Sequence, residues 1–410
     1  MPYDVLSFHP GRQHNFEQAA QLCRHFKNFK HVTSLYFEQK TIRRIEHIYP
    51  KMASFLKKRT SVMSGSVVDT KSRYAIKLHV KQKLFGNDSI GLIDYYKKNA
   101  AFQKWLIGHY APPKVCLGFD SSSWIVFREW KNRSFLVLDL STINLVYKQK
   151  LVEQYQLDPE LAGRIINDDP VFYPSNKEEL MLADLILCPS EFSKRSCIET
   201  GVPAHKITVL PYGVDLQKFD HGSIKKDRAV TRVVFIGRVS YSKGTDVLLD
   251  AWKELNELIN AGTLNAELHL YGAIHMPVGE SLPNVIFHHH VSQEELASEL
   301  RAAHIAVLPT LFEGSSLSVY QSMAMGLAVI TTPNAGSIIE HHKTGLIVDY
   351  GDRAGLVKSL LYLINNPVSR EQLAAAGQQE VMNYSWDNYG VKLAKIIRTN
   401  VPLLNQMLPE

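Results

Sequence analysis

Short apolar runs alternate with amphipathic segments along most of the chain. The apolar runs have the length of β-strands, and the segments between them repeat apolar residues at helical spacing, as Val247, Leu248, Ala251, Trp252 and Leu255 do. Strand–helix alternation of this kind predicts α/β domains built on doubly wound parallel sheets. The apolar runs are found at residues 3–8, 135–140, 185–188, 207–210, 232–236, 267–272, 285–287, 304–308, 327–332 and 345–349.

The length and local composition indicate two domains. A chain of 410 residues exceeds the size at which a single hydrophobic core stops growing. We expect a first domain over residues 1–220, a charged linker over 221–230, and a second domain over 231–384. An amphipathic helix over residues 385–410 follows the second domain.

Charge is distributed unevenly between the two halves of the chain. Residues 1–150 hold 25 Lys and Arg against 10 Asp and Glu, which leaves 21 against 30 for the remainder. A basic first half indicates a polyanionic partner, which could be an anionic lipid surface, a lipid-linked pyrophosphate, a phosphorylated glycan or nucleic acid. A well-solvated lysine-rich face is the structural alternative. Aromatic and basic residues interleaved at 55–59 favour the membrane, and nucleic acid is disfavoured because no RNA-binding signature accompanies them.

Composition also bears on compartment and on metals. The sequence contains no apolar window of membrane-spanning length and no basic-then-apolar signal pattern at its start, so we expect a cytoplasmic protein, peripheral on the inner face of the membrane if bound there. Four cysteines without C-x-x-C spacing indicate reduced thiols. The histidine runs 288–290 and 341–342 lack the ligand spacing of a metal site, so we predict no metal.

Residues 309–332 carry the clearest chemical signal. An apolar strand leads into a loop with Glu313 and Gly314, and a helix is predicted to open at Ser315 and Ser316. The first amides of such a helix, including that of Leu317, form a phosphate-binding position. Gln321 lies eight residues after the glutamate, so both side chains can line one side of the same ligand.

A second group of candidate residues surrounds the first strand of the second domain. Gly237 and Arg238 follow this strand, and Lys243 precedes the next helix. A guanidinium and an ammonium five residues apart, on a strand-to-helix turn, can converge on one anionic group, and solvated surface charges are the structural alternative. Gly244 in the turn strengthens this interpretation, and Gly272, at the end of the following strand, is assigned to the same site.

Candidate residues in the first domain also follow predicted strands. Gly11 lies in the turn after the first strand and allows close approach of a ligand to the backbone, while Arg12, Gln13 and His14 can point into the cleft. The other candidates on this side, which we assign to the sugar or the acceptor, are Asp120, Asp139 and Asn144. The cluster from Asp120 to Ser123 is equally explained as a helix N-cap.

The order of these motifs resembles that of retaining glycosyltransferases of family 4, which have the GT-B fold. The motifs are Tyr212-Gly213-Val214-Asp215, Gly237-Arg238 with Ser242-Lys243-Gly244, Glu313-x7-Gln321, and the strand of residues 345–349. The resemblance is good over residues 180–395 and loose before them. It implies two Rossmann-like domains facing a cleft, with a nucleotide sugar mainly on the second domain, the acceptor on the first, and the last helix crossing back to the first domain.

The resemblance also implies roles for individual residues. In that family the first glutamate of E-x7-E holds the donor sugar, the second holds the ribose, and an Arg and a Lys bind the diphosphate. Glu313, Arg238 and Lys243 would be the catalytic residues here, and the donor-binding residues would be Gly237, Gly272, Ser315, Ser316, Leu317 and Gln321. The sequence departs from the family at Gln321, and at Asn144, which stands where relatives place a sugar-contacting histidine, although Asp139 is retained.

The expected activity is transfer of a hexose, with retention, from a UDP-, GDP- or ADP-sugar to a glycan or lipid-linked glycan in cell-surface polysaccharide assembly. The nucleotide sugar is a substrate, and neither a cofactor nor a metal is expected. The alternative is a non-catalytic nucleotide-sugar-binding subunit of a glycan-assembly complex. A nucleotide-sugar epimerase of similar fold is less favoured, because no obvious catalytic residue for that reaction is present.

Overall fold

The structure is a computed structural model that describes residues 2–46, 56, 60–61, 63–72, 76–77, 91–166, 173–219, 229–279, 282–289 and 291–407. Most of the predicted linker and four of the five residues of the basic and aromatic stretch 55–59 lie outside the described residues. No helix in the described part of the chain is long and apolar enough to cross a membrane.

Over its described residues, the first domain is a seven-stranded parallel sheet flanked by helices. Its strands are β1 (Val5–His9), β2 (Phe29–Thr33), β3 (Val68–Thr70), β4 (Val115–Phe119), β5 (Phe135–Asp139), β6 (Leu185–Cys188) and β7 (Ile207–Val209). Its helices are α1 (Asn15–His25), α2 (Gln39–Glu46), α3 (Leu92–His109), α4 (Trp124–Trp130), α5 (Leu145–Gln154), α6 (Pro159–Ile166), α7 (Tyr173–Leu182) and α8 (Glu191–Glu199). The strand order is β3-β2-β1-β4-β5-β6-β7.

The second domain is a six-stranded parallel sheet in the order β10-β9-β8-β11-β12-β13. Its strands are β8 (Thr231–Ile236), β9 (Ala266–Tyr271), β10 (Val285–Phe287), β11 (Ile305–Leu308), β12 (Ala328–Thr331) and β13 (Leu346–Ile347). Its helices are α9 (Thr245–Asn260), α10 (Gln293–Arg301), α11 (Leu317–Ala324), α12 (Arg353–Asn365) and α13 (Pro367–Val381), and α14 (Trp386–Asn400) follows them.

The predicted fold class is confirmed: both domains are Rossmann-like and doubly wound. The apolar runs were recognisable because a parallel sheet is covered on both faces, so its central strands are apolar throughout, as all five buried residues of β1 show. Strand order reverses between β1 and β4 in the first sheet and between β8 and β11 in the second. Ligands bind at such switch points, at the carboxyl ends of the strands.

The last helix packs on the first domain. Tyr389, Leu393 and Ile397 of α14 are buried in the same apolar cluster as Phe16 and Leu22 of α1. Polar contacts at the edge of this interface join Arg24 to Asp387 at 2.7 Å and the Arg398 guanidinium to the carbonyl oxygen of His25 at 2.8 Å.

The chain passes between the domains twice, near Val214 and near Tyr384, and these two segments lie side by side. The Val214 amide donates to the Tyr384 carbonyl oxygen at 2.8 Å. A Cβ atom on Gly213 would lie 2.5 Å from the backbone nitrogen of Trp386, so no larger residue fits there without backbone movement. Glycine is therefore required at position 213 of the motif Tyr212-Gly213-Val214-Asp215, because the two segments that connect the domains approach each other closely there.

The domains also contact each other through an apolar cluster on one side of the cleft. Residues of α5, α6 and α8 in the first domain meet Leu311 and Tyr350 of the second domain in this cluster. The first-domain members are Ile143, Tyr147, Leu151, Ile165 and Phe192. Asn334 donates to the Tyr155 hydroxyl at 3.0 Å beside them. Apolar burial therefore holds the domains together next to the loop that carries Glu313.

We predict that the protein loses stability as pH falls below 6.5, because two buried histidines are held neutral. Burial lowers the pKa of His9 and of His31 to about 3. The two His31 ring nitrogens lie 2.7 Å from the Ser7 hydroxyl and 3.2 Å from the Asn15 amide nitrogen, which suits a neutral ring with one donor and one acceptor. The unfolded chain protonates both rings near pH 6.5, so stability falls by about 1.4 kcal/mol per pH unit for each histidine.

Denaturant unfolding at pH 7 and pH 5 measures this dependence. The variant His31→Gln should show a shallower fall with acidification, whereas His205→Gln, at an exposed position, should keep the wild-type dependence. An identical fall in all three proteins would contradict the assignment.

Candidate functional site

The candidate site lies at the switch point of the second sheet. Arg238 follows β8, and Lys243 lies in a 3₁₀ turn (Tyr241–Lys243) just before α9. Glu313 lies in the loop between β11 and α11. Because β8 and β11 are paired and parallel, both loops leave the same edge of the sheet. The fold thus brings together three charged residues that the sequence separates by up to 75 positions.

Lys243 and Glu313 form an ion pair across the two loops. The loops are also joined by backbone, since the Ser242 carbonyl oxygen accepts from the Leu311 amide at 3.0 Å and from the Thr310 hydroxyl at 2.9 Å. The Lys243 and Glu313 side chains are 17% and 20% exposed. Burial and then the charge of Arg238 lower the pKa of Lys243, and contact with the Glu313 carboxylate acts in the opposite direction. Each charge thus neutralises the other in a partly desolvated position.

Arg238 is exposed beside this pair. Within the described part of the chain, no carboxylate forms an ion pair with its guanidinium, although its charge acts on Lys243. Gly237 and Gly272 have φ angles of 151° and 152°, and a Cβ atom on Gly272 would lie 1.9 Å from the Gly237 carbonyl oxygen. Glycine is required at position 272 because the ends of β8 and β9 meet there through backbone atoms.

The helix predicted to open at the serine pair begins at Leu317, with Ser316 as its N-cap residue. The Ser316 side chain makes no capping hydrogen bond, and its hydroxyl lies 3.1 Å from that of Ser318. The amides of Ser316 and Leu317 donate to the carbonyl oxygens of Ala335 at 3.2 Å and of Ser315 at 3.1 Å. Both amides therefore have partners within the protein, and their role toward a phosphate stays a prediction.

Gln321 lies one turn further along α11. Its side-chain nitrogen donates to the side-chain oxygen of Gln293 at 3.4 Å, at the start of α10. The sequence did not indicate Gln293. The capping pattern Ser292 to Glu295, which is present as a capping box, could have located the start of this helix.

On the first-domain side, Asp139 is the centre of a buried polar network. Its carboxylate is 1% exposed and lies 3.1 Å from the His14 ring nitrogen Nε2. Gln18 donates to the other carboxylate oxygen and, at 2.7 Å, contacts the Tyr389 hydroxyl. The hydroxyl groups of Tyr212 and Tyr389 each lie 3.4 Å from Asp139. A buried carboxylate needs this number of donors, so the network fixes His14 at the base of the cleft.

The sequence pointed to Asp139 and His14 and missed Gln18 and Tyr389. Gln18 is a polar residue in α1 that is fully buried, and Tyr389 is contributed by α14. A polar residue within the apolar face of an amphipathic helix is the only local signal for either of them. Their partner lies 121 and 250 positions away, and no local pattern shows that.

The remaining first-domain candidates make contacts within the protein. The Asp120 carboxylate accepts from the Ser141 hydroxyl at 2.8 Å, and burial raises its pKa to about 6. Asn144 caps α5 by accepting from the Tyr147 amide at 2.9 Å, and it donates to the Thr200 hydroxyl at 2.6 Å. The Gly11 amide donates to the His9 ring at 3.0 Å, and the Arg12 guanidinium lies 3.6 Å from Glu17. Asn144 therefore has a capping role that is independent of any ligand.

Within the described residues, no group of three or more His, Cys, Asp or Glu side chains could hold a metal ion. Histidines of the two runs noted in the sequence pack on other rings. His288 stacks on Tyr271 with ring centroids 4.3 Å apart, and His341 packs on His342 with ring centroids 4.0 Å apart. His290 lies outside the described residues.

Solved structures of similar shape define the class of the fold. The chain superimposes on sucrose-phosphate synthase from Thermosynechococcus elongatus with a TM-score of 0.65 at 16% identity, covering 98% of this chain and 100% of that one. It superimposes on Anabaena HepE in complex with UDP with a TM-score of 0.62 at 14% identity, covering 97% and 100%. The chain has the GT-B fold, as these solved glycosyltransferase structures do.

Sequence comparison adds a family match for the second domain. Residues 230–366 match the family described as glycosyl transferases group 1. Over 266 residues the chain is 26% identical to D-inositol 3-phosphate glycosyltransferase of Nocardioides, covering 56% of this chain and 55% of the relative. Over 196 residues it is 28% identical to the amylovoran biosynthesis glycosyltransferase AmsK of Erwinia amylovora, covering 44% and 47%. The chain spans about half the length of the curated relatives it matches.

We predict that Gly244→Ala destabilises the protein more than Gly262→Ala does. Both glycines have positive φ angles, 66° and 73°. A Cβ atom at Gly244 would lie 1.9 Å from the Pro309 carbonyl oxygen, whereas one at Gly262 meets nothing within 4 Å. The strained backbone alone costs about 1 kcal/mol, and the clash should raise the total at Gly244 to about 3 kcal/mol.

Denaturant unfolding of both variants measures the difference. Equal losses of unfolding free energy would show that the turn carrying Lys243 is not packed against β11 as described.

Proposed function

We propose that the protein is a retaining glycosyltransferase that moves a hexose from a nucleotide-diphosphate sugar to a glycan or lipid-linked glycan in cell-surface polysaccharide assembly. One observation carries the proposal: Arg238, Lys243 and Glu313 meet at the switch point of the second sheet, within the segment that matches glycosyl transferases group 1. The names of two relatives support the polysaccharide assignment. They are AmsK and a putative colanic acid biosynthesis glycosyltransferase of Salmonella typhimurium, WcaL, which is 22% identical over 253 residues and of which 60% is covered.

The charges suit a sugar joined to a diphosphate. Without a donor, the Lys243 ammonium and the Glu313 carboxylate satisfy each other. A diphosphate would take over Lys243 together with Arg238, which frees the carboxylate to accept hydrogen bonds from sugar hydroxyls. One ligand class that carries both phosphate oxygens and hydroxyl groups therefore satisfies all three side chains. The UDP complexes of Anabaena HepE support a nucleotide donor.

The reaction breaks the bond between the anomeric carbon and the diphosphate oxygen and forms a bond from the acceptor oxygen to the same face of the sugar. The proton of the acceptor hydroxyl passes to the departing diphosphate. Negative charge grows on the departing diphosphate. Arg238 and Lys243 are fixed cations beside that charge, and preorganised electrostatic stabilisation of this kind is usually the largest catalytic contribution. In this proposal the two cations take the place of a metal, and Glu313 orients the sugar without acting as a nucleophile.

The first domain is proposed to bind the acceptor near the carboxyl ends of β1, β4 and β5. Gly11, Arg12 and His14 follow β1, and Asp139 fixes the His14 ring. A lipid-linked acceptor would agree with the excess of basic residues in the first half of the chain. Association with an anionic membrane and the cytoplasmic location remain proposals of the same kind.

We predict that a nucleotide sugar raises the melting temperature of the wild-type protein and that Arg238→Ala and Lys243→Ala abolish most of the shift. Ligands that bind only the folded state stabilise it, and both variants remove a cation from the diphosphate position. Thermal unfolding with UDP-, GDP- and ADP-glucose measures the shift. Lys253→Ala, which removes an exposed lysine of α9, is the matched control and should retain the full shift.

With the donor selected in this way, Glu313→Ala, Arg238→Ala and Lys243→Ala should each lower turnover at least about 10²-fold. Normal turnover in all three purified variants would refute the proposed site. Binding of a donor with neither hydrolysis nor transfer by the wild-type protein would instead favour the non-catalytic subunit, for which the glutamine at position 321 is the motivating departure.

We predict that Gln321→Glu tightens donor binding about fivefold. A carboxylate accepts a stronger hydrogen bond from a ribose hydroxyl than an amide does, and the difference amounts to about 1 kcal/mol. The neighbouring Gln293 amide can donate to the new carboxylate and hold it in place. Calorimetric titration measures the affinity, with Gln372→Glu on the exposed face of α13 as the control of equal charge. Unchanged or weaker binding in Gln321→Glu would argue against a ribose contact here.

A further inference from the structure

The Gly314 carbonyl oxygen connects the loop that carries Glu313, in the second domain, to the first domain. It accepts hydrogen bonds from the hydroxyl groups of Ser190 at 2.6 Å and of Ser193 at 3.0 Å. The serines lie 124 and 121 positions away, at the start of α8 in the first domain. All three residues are buried.

The surroundings of Gly314 leave no space for a side chain. A Cβ atom on Gly314 would lie 2.1 Å from the Ser141 carbonyl oxygen of the first domain. A Cβ atom on Gly336 would lie 2.3 Å from the Gly314 carbonyl oxygen and 2.8 Å from the Ser190 hydroxyl. The backbone at Gly314 is therefore enclosed by Ser141, Ser190 and Gly336, and the two hydrogen bonds are shielded from water.

Helix capping does not explain both hydroxyl groups. The Ser190 oxygen caps α8 by accepting from the Ser193 amide at 3.1 Å, which uses neither the Ser190 proton nor the Ser193 hydroxyl. Ser196, one turn later, shows the ordinary behaviour of a serine inside a helix, because its hydroxyl donates back to the Ser193 carbonyl oxygen at 2.7 Å. The Ser193 hydroxyl instead donates to a carbonyl oxygen of the other domain, and it lies 3.1 Å from the Ser190 hydroxyl.

The Gly314 carbonyl group, which accepts both hydrogen bonds, belongs to the residue that follows Glu313. The Glu313 amide donates to the Asn334 carbonyl oxygen at 2.9 Å, so hydrogen bonds hold the backbone of both residues 313 and 314. Fixing the Gly314 carbonyl also sets the peptide plane that leads into Ser315 and α11. The direction of the Glu313 side chain therefore depends on a contact that exists only while the two domains are together.

We propose that Ser193 and Ser190 are positioning residues that orient Glu313 for glycosyl transfer. They do so by donating hydrogen bonds to the Gly314 carbonyl oxygen when the first domain closes on the second. This inference rests on the proposed function, and it adds a requirement: donor binding alone, on the second domain, does not complete the site. The first domain supplies two hydroxyl groups that touch no substrate and act through Glu313.

The test compares Ser193→Ala with Ser196→Ala in the full chain. Both variants remove one buried hydroxyl from α8, but only Ser193→Ala removes a bond to the second domain. With the fastest donor among UDP-, GDP- and ADP-glucose, Ser193→Ala should lower kcat about tenfold while the donor Kd stays within twofold. Ser193→Cys, which keeps nearly the same shape with a weak donor, should show the same loss. Ser196→Ala should keep the wild-type kcat.

Small-angle X-ray scattering supplies a measurement that does not depend on activity. In the absence of ligand, Ser193→Ala should have a larger radius of gyration than wild type and Ser196→Ala, because a bond between the domains is lost. Equal kcat values and equal radii in the two alanine variants would overturn the proposal. If wild type hydrolyses none of the three donors, the proposed function fails, and the scattering comparison still decides whether the serines hold the domains together.

Discussion

The ion pair between Lys243 and Glu313 is the interaction on which the arrangement of the second domain's cleft depends. Two opposite charges in a partly desolvated position are tolerated because each compensates the other, and removing one partner would leave the other without compensation. The pair also joins the loops after β8 and β11, which the Ser242 carbonyl connects through backbone. The same contact therefore stabilises the unliganded loops and keeps a cation and a carboxylate ready for a ligand that offers both phosphate and hydroxyl groups.

Much of the fold could be predicted from local pattern. Strand β6 lies where the apolar run 185–188 predicted it, and β8 (Thr231–Ile236) begins one residue before the predicted run 232–236. The helical repeat from Val247 to Leu255 lies within α9. These elements are legible because parallel strands are apolar on both faces and amphipathic helices repeat every 3.6 residues. The start of α11 also lies at the predicted serine pair: Ser316 is the N-cap residue, although its side chain makes no capping hydrogen bond.

Only some residues of the candidate site could be predicted from the sequence, for a physical reason. Arg238, Lys243 and Glu313 follow strands, so topology alone brings them together once a doubly wound sheet is assumed. The partners of Asp139 and of the Gly314 carbonyl come from elements more than 70 positions away. Ser190, Ser193 and Tyr389 carry no local signal of these contacts, since a serine at the start of a helix and a tyrosine in an amphipathic helix are ordinary residues. Asn144 illustrates the converse: a position assigned to a ligand by analogy is also a helix cap.

The packing of α14 on α1 bears on how the chain acquires its structure during synthesis. The first domain's apolar core includes Leu393 and Ile397, so it cannot be completed until the chain has been synthesised past residue 397 and this segment has left the ribosome. The second domain, whose elements run without interruption from β8 to α13, can assemble earlier. Domains usually fold in the order in which they are made. Here the amino-terminal domain would be finished last, and its partly formed sheet would have to remain soluble while the second domain forms.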